Sequence, residues 1–158
     1  MTRKPVAYIS APISNDPDYE KVFIKTHKSL TSLGFEVQNP VEFTRRLKDE
    51  QMKGMTVQQK VDFLAGDLCW RLCMEKCVEV LPSCDVLILA ESVNRFESKG
   101  VDVEKLLAEE KRIPVLSMSS PNKIKEFVDN FSKSLPNSPS HLEKNTISQS
   151  EEEKTPNL

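Results

Sequence analysis

Four short strand-like stretches divide the chain: PVAYIS at residues 5–10, FEVQ at 35–38, VLILA at 86–90 and IPVLSM at 113–118. Each is too short for a buried helix, and each is followed by a stretch with helical spacing of its apolar residues. Strands that alternate with helices pair in parallel and are covered on both faces. The expected fold is therefore α/β, a three-layer sandwich around a four- or five-stranded parallel sheet. Its expected strand order is the flavodoxin-like 2-1-3-4, with a fifth strand missing or hidden. The helical stretches run over residues 18–33, where Val22, Thr26, Leu30 and Leu33 share a face before Gly34, and over 57–81, interrupted at Gly66. Two more cover 101–111 and 122–135. Residues 41–56 read as a short helix inside a long connection.

The 158 residues suit one domain, expected over residues 1–135. Beyond it, residues 136–158 are rich in Ser, Asn and Pro and lack an apolar period, which predicts a disordered polar tail. The tail takes four of the 24 acidic and two of the 22 basic side chains, leaving a body with 20 of each. A body of zero net charge argues against a nucleic-acid polymer as partner. No run approaches 18 apolar residues, so no membrane partner is expected. None of the four glycines falls in a GxGxxG or GxxxxGK[ST] arrangement, which excludes the common nucleotide cradles. Cys69, Cys73, Cys77 and Cys84 lie within sixteen residues without CxxC spacing. Core thiols in a reducing, cytoplasmic setting are the plain reading; a metal centre or a redox role are the alternatives.

Ligands of such folds collect beyond the carboxyl ends of the strands, where strand order reverses. That rule selects the loops at residues 11–19 and 91–100. In the second loop, Ser98 and Gly100 open a helix, an arrangement suited to an anion, although a serine there is equally an N-cap. Glu104 sits one turn further on. Its carboxylate is suited to attack on a carbon of oxocarbenium character, or simply to the positive end of a helix. The first loop offers Ser10, Ala11, Pro12 and Ile13, with Tyr8 in the strand before it. Trp70 is the one tryptophan, suited to the core, to stacking on a base, or to an interface.

These residues together resemble the nucleoside 2-deoxyribosyltransferase-like superfamily. The resemblance covers residues 5–118 and rests on YISAPI (residues 8–13), Asn39 with Pro40, Trp70, and Cys84, Asp85 and Val86. Its most specific part is SKGVDVE (residues 98–104), which matches the S-x-G-x-x-x-E of the branch that cleaves deoxynucleoside 5'-monophosphates. The small, often phage-borne branch that begins YI(S/A)GPI is also similar. The resemblance implies an N-glycosidase or deoxyribosyltransferase acting on a nucleoside or nucleotide. Glu104 would attack the anomeric carbon and form a covalent glycosyl intermediate, resolved by water or by a second base. Ser98 and the backbone near Gly100 would hold a 5'-phosphate. Residues 10–13 and Tyr8 would line the sugar and base site, with Asn94 and Arg95 contacting substrate. It implies no metal or organic cofactor, and a homodimer or higher homo-oligomer that shares its sites.

Two positions depart from the pattern. Ala11 replaces a glycine, and Cys77 replaces an aspartate seven residues after the tryptophan, where it assists the leaving base or orients the nucleophile. A thiol with a usual pKa of about 8.5 is a poor general acid and carries no carboxylate charge. Asp67, Glu75 and Glu79 are the nearby carboxylates available to compensate. The rival reading is therefore a nucleotide-binding or interaction module that keeps the pocket with little or no turnover. A flavodoxin-like or receiver-like domain is a poorer match: residues 11–18 (APISNDPD) make a poor phosphate loop, and Asp85 begins its strand instead of ending it.

Overall fold

The computed structural model describes residues 3–134; the expected tail at 136–158 lies outside the described residues. The chain forms β1 (Val6–Ser10), α1 (Tyr19–Ser32), β2 (Glu36–Gln38), α2 (Pro40–Gln51), α3 (Val57–Ala65) and α4 (Asp67–Val80). A 3-10 turn (Leu81–Ser83) leads into β3 (Val86–Leu89), and a second (Glu91–Asn94) precedes α5 (Lys99–Glu110), β4 (Val115–Ser117) and α6 (Pro121–Ser134). The strands form one parallel sheet in the order β2-β1-β3-β4. The fold is a three-layer α/β sandwich, and the described residues contain no fifth strand.

One helical expectation needs correction, and the break expected at Gly66 is present. The connection after β2 holds a full twelve-residue helix, α2. Asn39 and Pro40 start it: the Asn39 side chain accepts the Val41 N–H at 3.0 Å, and Pro40 takes the first helical position. The long stretch 57–81 is two helices. Thr56 and Gln59 cap α3 reciprocally, and Gly66 turns extended (φ −99°, ψ 166°) before α4 begins.

Strand alternation sorts the core into two layers. Ala7, Ile9, Val86 and Ile88 pack with Phe23 and Leu30 of α1 and Ile124 of α6. Tyr8 and Leu87 point the other way, onto Phe43 of α2, Cys77 of α4 and Ala108 of α5. Gly34, at φ 103°, lets α1 stop abruptly: its N–H reaches the Thr31 carbonyl and the Phe35 N–H reaches that of Leu30. Arg112 ends α5 by the same bonds, to Glu109 and, from Ile113, to Ala108, at φ 60°.

β1 lies between β2 and β3, so the chain leaves β1 in one direction along the sheet and leaves β3 in the other. The crevice of this switch point opens at the carboxyl ends of β1 and β3. At the opposite end, Asp85 precedes β3 and accepts the Val6 N–H at 2.8 Å, tying together the starts of β1 and β3. Arg3 clasps the same carboxylate through two bonds of 2.7 and 3.0 Å. Among the described residues no helix is long and apolar enough to cross a membrane.

Candidate active site

The site starts from two hydroxyls. Tyr8 and Ser10 are two residues apart on β1 and therefore project from the same face of the sheet. That face is covered by α5, whose buried stripe is Val101, Glu104 and Ala108. Val103 and Leu107 beside it are half-buried, and Glu104 occupies the middle of the stripe. Tyr8 donates to one Glu104 carboxylate oxygen at 2.5 Å, and Ser10 donates to the other at 2.6 Å. Cys77, reaching in from α4, adjoins both Tyr8 and Glu104.

This carboxylate is 6% exposed. Burial pushes its pKa up to about 7, against the partly offsetting donors Ser10, Tyr8 and Cys77. Burial and the adjacent Glu104 charge push the Tyr8 phenol well above its ordinary value. The same two causes, burial first, push the Cys77 thiol up to about 12. At neutral pH the cluster thus holds one titrating carboxylate among three groups that keep their protons.

Glu104 forms part of the floor of a cavity of about 560 Å³. Ala11, Ile13 and Asn15 of the first loop line one side, and Ser98, Lys99 and Gly100 at the start of α5 line another. The opposing walls come from α2, through Pro40, Thr44 and Lys48, and from α4, through Cys69, Trp70, Cys73 and Met74. Asn15 ties the two loops together by donating to the Glu97 carbonyl at 2.6 Å. Lys99 lies over the Trp70 ring, 5.0 Å from its centroid, at the rim.

The expected site residues therefore separate into three groups. Ala11, Ile13, Ser98, Gly100 and Glu104 line the cavity. Tyr8 and Ser10 lie behind Glu104, 0% and 1% exposed, so Tyr8 is a donor to the carboxylate and not a surface for a base; Pro12 is fully buried. Asn94 and Arg95 are exposed on and after the second 3-10 turn and do not line the cavity, because that turn carries them away from the crevice. Ser98 is the N-cap of α5, accepting the Val101 N–H at 3.2 Å. A methyl group on Gly100 would meet Met74 Sδ at 3.5 Å and Ser98 Oγ at 3.8 Å, ordinary contacts, so the packing around it does not demand a glycine. Asp67, Glu75 and Glu79 are exposed and outside the cavity, so none takes the place of the carboxylate that the resemblance leads one to expect at position 77.

Thr44, Lys48, Cys73 and Met74 were not singled out from the sequence as site residues. The i, i+4 pairs Thr44 with Lys48 and Cys69 with Cys73 are the signal that a shared helix face carries them. All four cysteines are free thiols: Cys69, Cys77 and Cys84 are buried, Cys73 half-buried. Among the described residues no group of three or more His, Cys, Asp or Glu is placed to hold a metal ion.

The profile of a family described as "Domain of unknown function (DUF4406)" matches residues 5–117. The chain belongs to this family. The match runs from the start of β1 to the end of β4 and so includes every element that lines the cavity, with α6 lying beyond it. Neither the comparison with curated proteins nor that with solved structures found a match for this DUF4406 chain.

Proposed function

We propose that the protein cleaves the N-glycosidic bond of a nucleoside or (deoxy)nucleoside 5'-monophosphate through a covalent intermediate on Glu104, by hydrolysis or base transfer. The observation that carries this reading is Glu104 itself, a buried carboxylate on a cavity floor, held at both oxygens by hydroxyl donors and, among the described residues, adjoined by no cation. Those donors fix the carboxylate's orientation and, with Cys77 counted, still leave it a lone pair for attack. The resemblance at residues 98–104 supplies the substrate class. In that reading a phosphate meets the unpaired N–H groups at the start of α5, beside Lys99.

One observation favours the second reading, a pocket that binds nucleotide with little turnover. Cys77, with its pKa pushed up to about 12, stands where relatives would have a carboxylate. The experiment that separates the two is incubation of the protein with a panel of nucleosides and their monophosphates, with chromatography for free base. We expect base release from at least one substrate and its loss in Glu104→Ala. Saturable binding without any released base would favour the non-catalytic module.

The cavity rim also supports a homo-oligomeric reading. α3 buries none of its residues, and Val57, Val61 and Leu64 are 78%, 53% and 50% exposed along one face. Such a face beside the cavity mouth suits a second copy of the chain.

A further inference from the structure

Lys48 is a cavity cation that the glycosidic reading does not use. It follows Thr44 by one turn of α2, and both side chains line the cavity wall beside α4. The Thr44 hydroxyl donates to the Pro40 carbonyl at 2.6 Å, so its proton is already engaged. Lys48 is then the free donor on that wall. Among the described residues it has no ion-pair partner. Its charge is felt at Cys73, where it opposes the upward push of burial and of Cys69. Cys73 stands one turn, about 6 Å, from Cys77, which adjoins Glu104. Lys99 and the start of α5 form a different wall, about 7.5 Å along α5 from Glu104. The cavity thus places a separate cation on each of two walls, with the nucleophile on its floor.

The missing acid at Cys77 makes the second cation consequential. Glycosyl transfer to Glu104 forms a bond from a carboxylate oxygen to C1′ and breaks the bond from C1′ to the base nitrogen. The electron pair of the broken bond goes to the base. Without a proton donor the base departs as an anion, and it protonates later from solvent. Water then attacks C1′, its proton goes to solvent, and the Glu104 carboxylate is released. A 6-oxopurine or a 2,4-dioxopyrimidine spreads the departing pair onto an exocyclic oxygen. The 6-amino or 4-amino counterpart presents N–H donors at that position, which face an ammonium group unfavourably.

We propose that Lys48 selects the leaving base, donating to the exocyclic carbonyl of 6-oxopurines and 2,4-dioxopyrimidines and stabilising the negative charge they carry away. This rests on the glycosidic reading. The two are tested together with matched pairs, the 5'-monophosphates of deoxyinosine and deoxyadenosine, and of deoxyuridine and deoxycytidine. The full chain is expected to favour the oxo member of each pair in kcat/KM. Lys48→Met lowers that preference by about 10- to 100-fold, the range for a hydrogen bond to a charged group. Lys48→Arg, which keeps the donor and the charge, restores most of it. Equal slowing of both members of each pair in Lys48→Met, or an unchanged preference, overturns the role of Lys48 alone. No base released by the unmodified protein from any of the four substrates overturns this inference, and none released from the wider panel of nucleosides and monophosphates overturns the glycosidic reading with it.

Discussion

The sheet carries a carboxylate at each end, and their surroundings are opposite. At the amino end Asp85 meets a guanidinium and a backbone N–H. Its partial burial acts to raise the pKa, but the Arg3 hydrogen bond, the Val6 N–H and the Arg3 charge together hold it below the ordinary carboxylate range. At the carboxyl end Glu104 is buried more deeply and meets only uncharged hydroxyl and thiol groups, so burial prevails. A carboxylate beside a cation is held ionised and ties two strand ends together. One without a cation is held close to neutrality, at a cost to the fold, and keeps its lone pairs for chemistry.

The largest test of this contrast is stability against pH. Glu104 has a folded pKa of about 7, above its ordinary 4.5. Below the unfolded value both states are protonated and the group is silent. As pH rises from about 4.5 to 7, the unfolded chain ionises first and stability falls. Above about 7 the loss is complete, about 3 kcal/mol for this difference. Glu104→Gln keeps the shape and removes the ionisation. In urea titrations it is expected to match the unmodified protein near pH 4 and to exceed it by about 3 kcal/mol at pH 8. Equal stability of the two proteins at pH 8 would show that Glu104 is not desolvated as described. The same variant loses the proposed activity, so here stability and function oppose each other.

Asp85 has the reverse sign. Its folded pKa is depressed, so its contribution is present above the unfolded value and is lost as pH falls through the folded value. Asp85→Ala leaves the Val6 N–H without its acceptor and is expected to cost about 1–2 kcal/mol at pH 7. The deficit shrinks in acid, and base release stays within about twofold because the change lies at the far end of the sheet. A deficit that grows in acid would break the comparison.

What the sequence revealed and what it hid follow the same division. The central strands β1 and β3 were legible because two-sided burial writes continuous apolar runs, and residues 98–104 were legible because a cap, a glycine and a carboxylate fall within two turns. The length of α2 was hidden behind Asn39 and Pro40, a pair that starts a helix as readily as it turns a chain. The partnership of Tyr8 and Ser10 with Glu104 spans more than ninety residues and arises only when α5 settles on the face of β1 that both hydroxyls share. Lys48 escaped notice because a lysine on a polar helix is ordinarily solvated, and only the packing of α2 beside α4 turns it toward a cavity. Asn94 and Arg95 sat in the right loop by residue number, but the 3-10 turn sends them outward.

The smallest expected effect addresses the Glu104 end alone. If ionised Glu104 is the nucleophile, kcat/KM rises with pH and levels off above a midpoint near 7, the value that burial imposes. Tyr8 donates to the charged form of that carboxylate. Tyr8→Phe removes a donor that favours ionisation, so the midpoint moves upward. A single hydrogen bond contributes about 1 kcal/mol net, which limits the displacement to roughly one pH unit or less. Ser10 still holds the other oxygen, so the carboxylate stays in place and the plateau rate falls less than the rate below the midpoint. A pH–rate profile of Tyr8→Phe displaced toward acid would mean that the phenol does not stabilise the anion, and the contrast between the two ends of the sheet would then rest on burial alone.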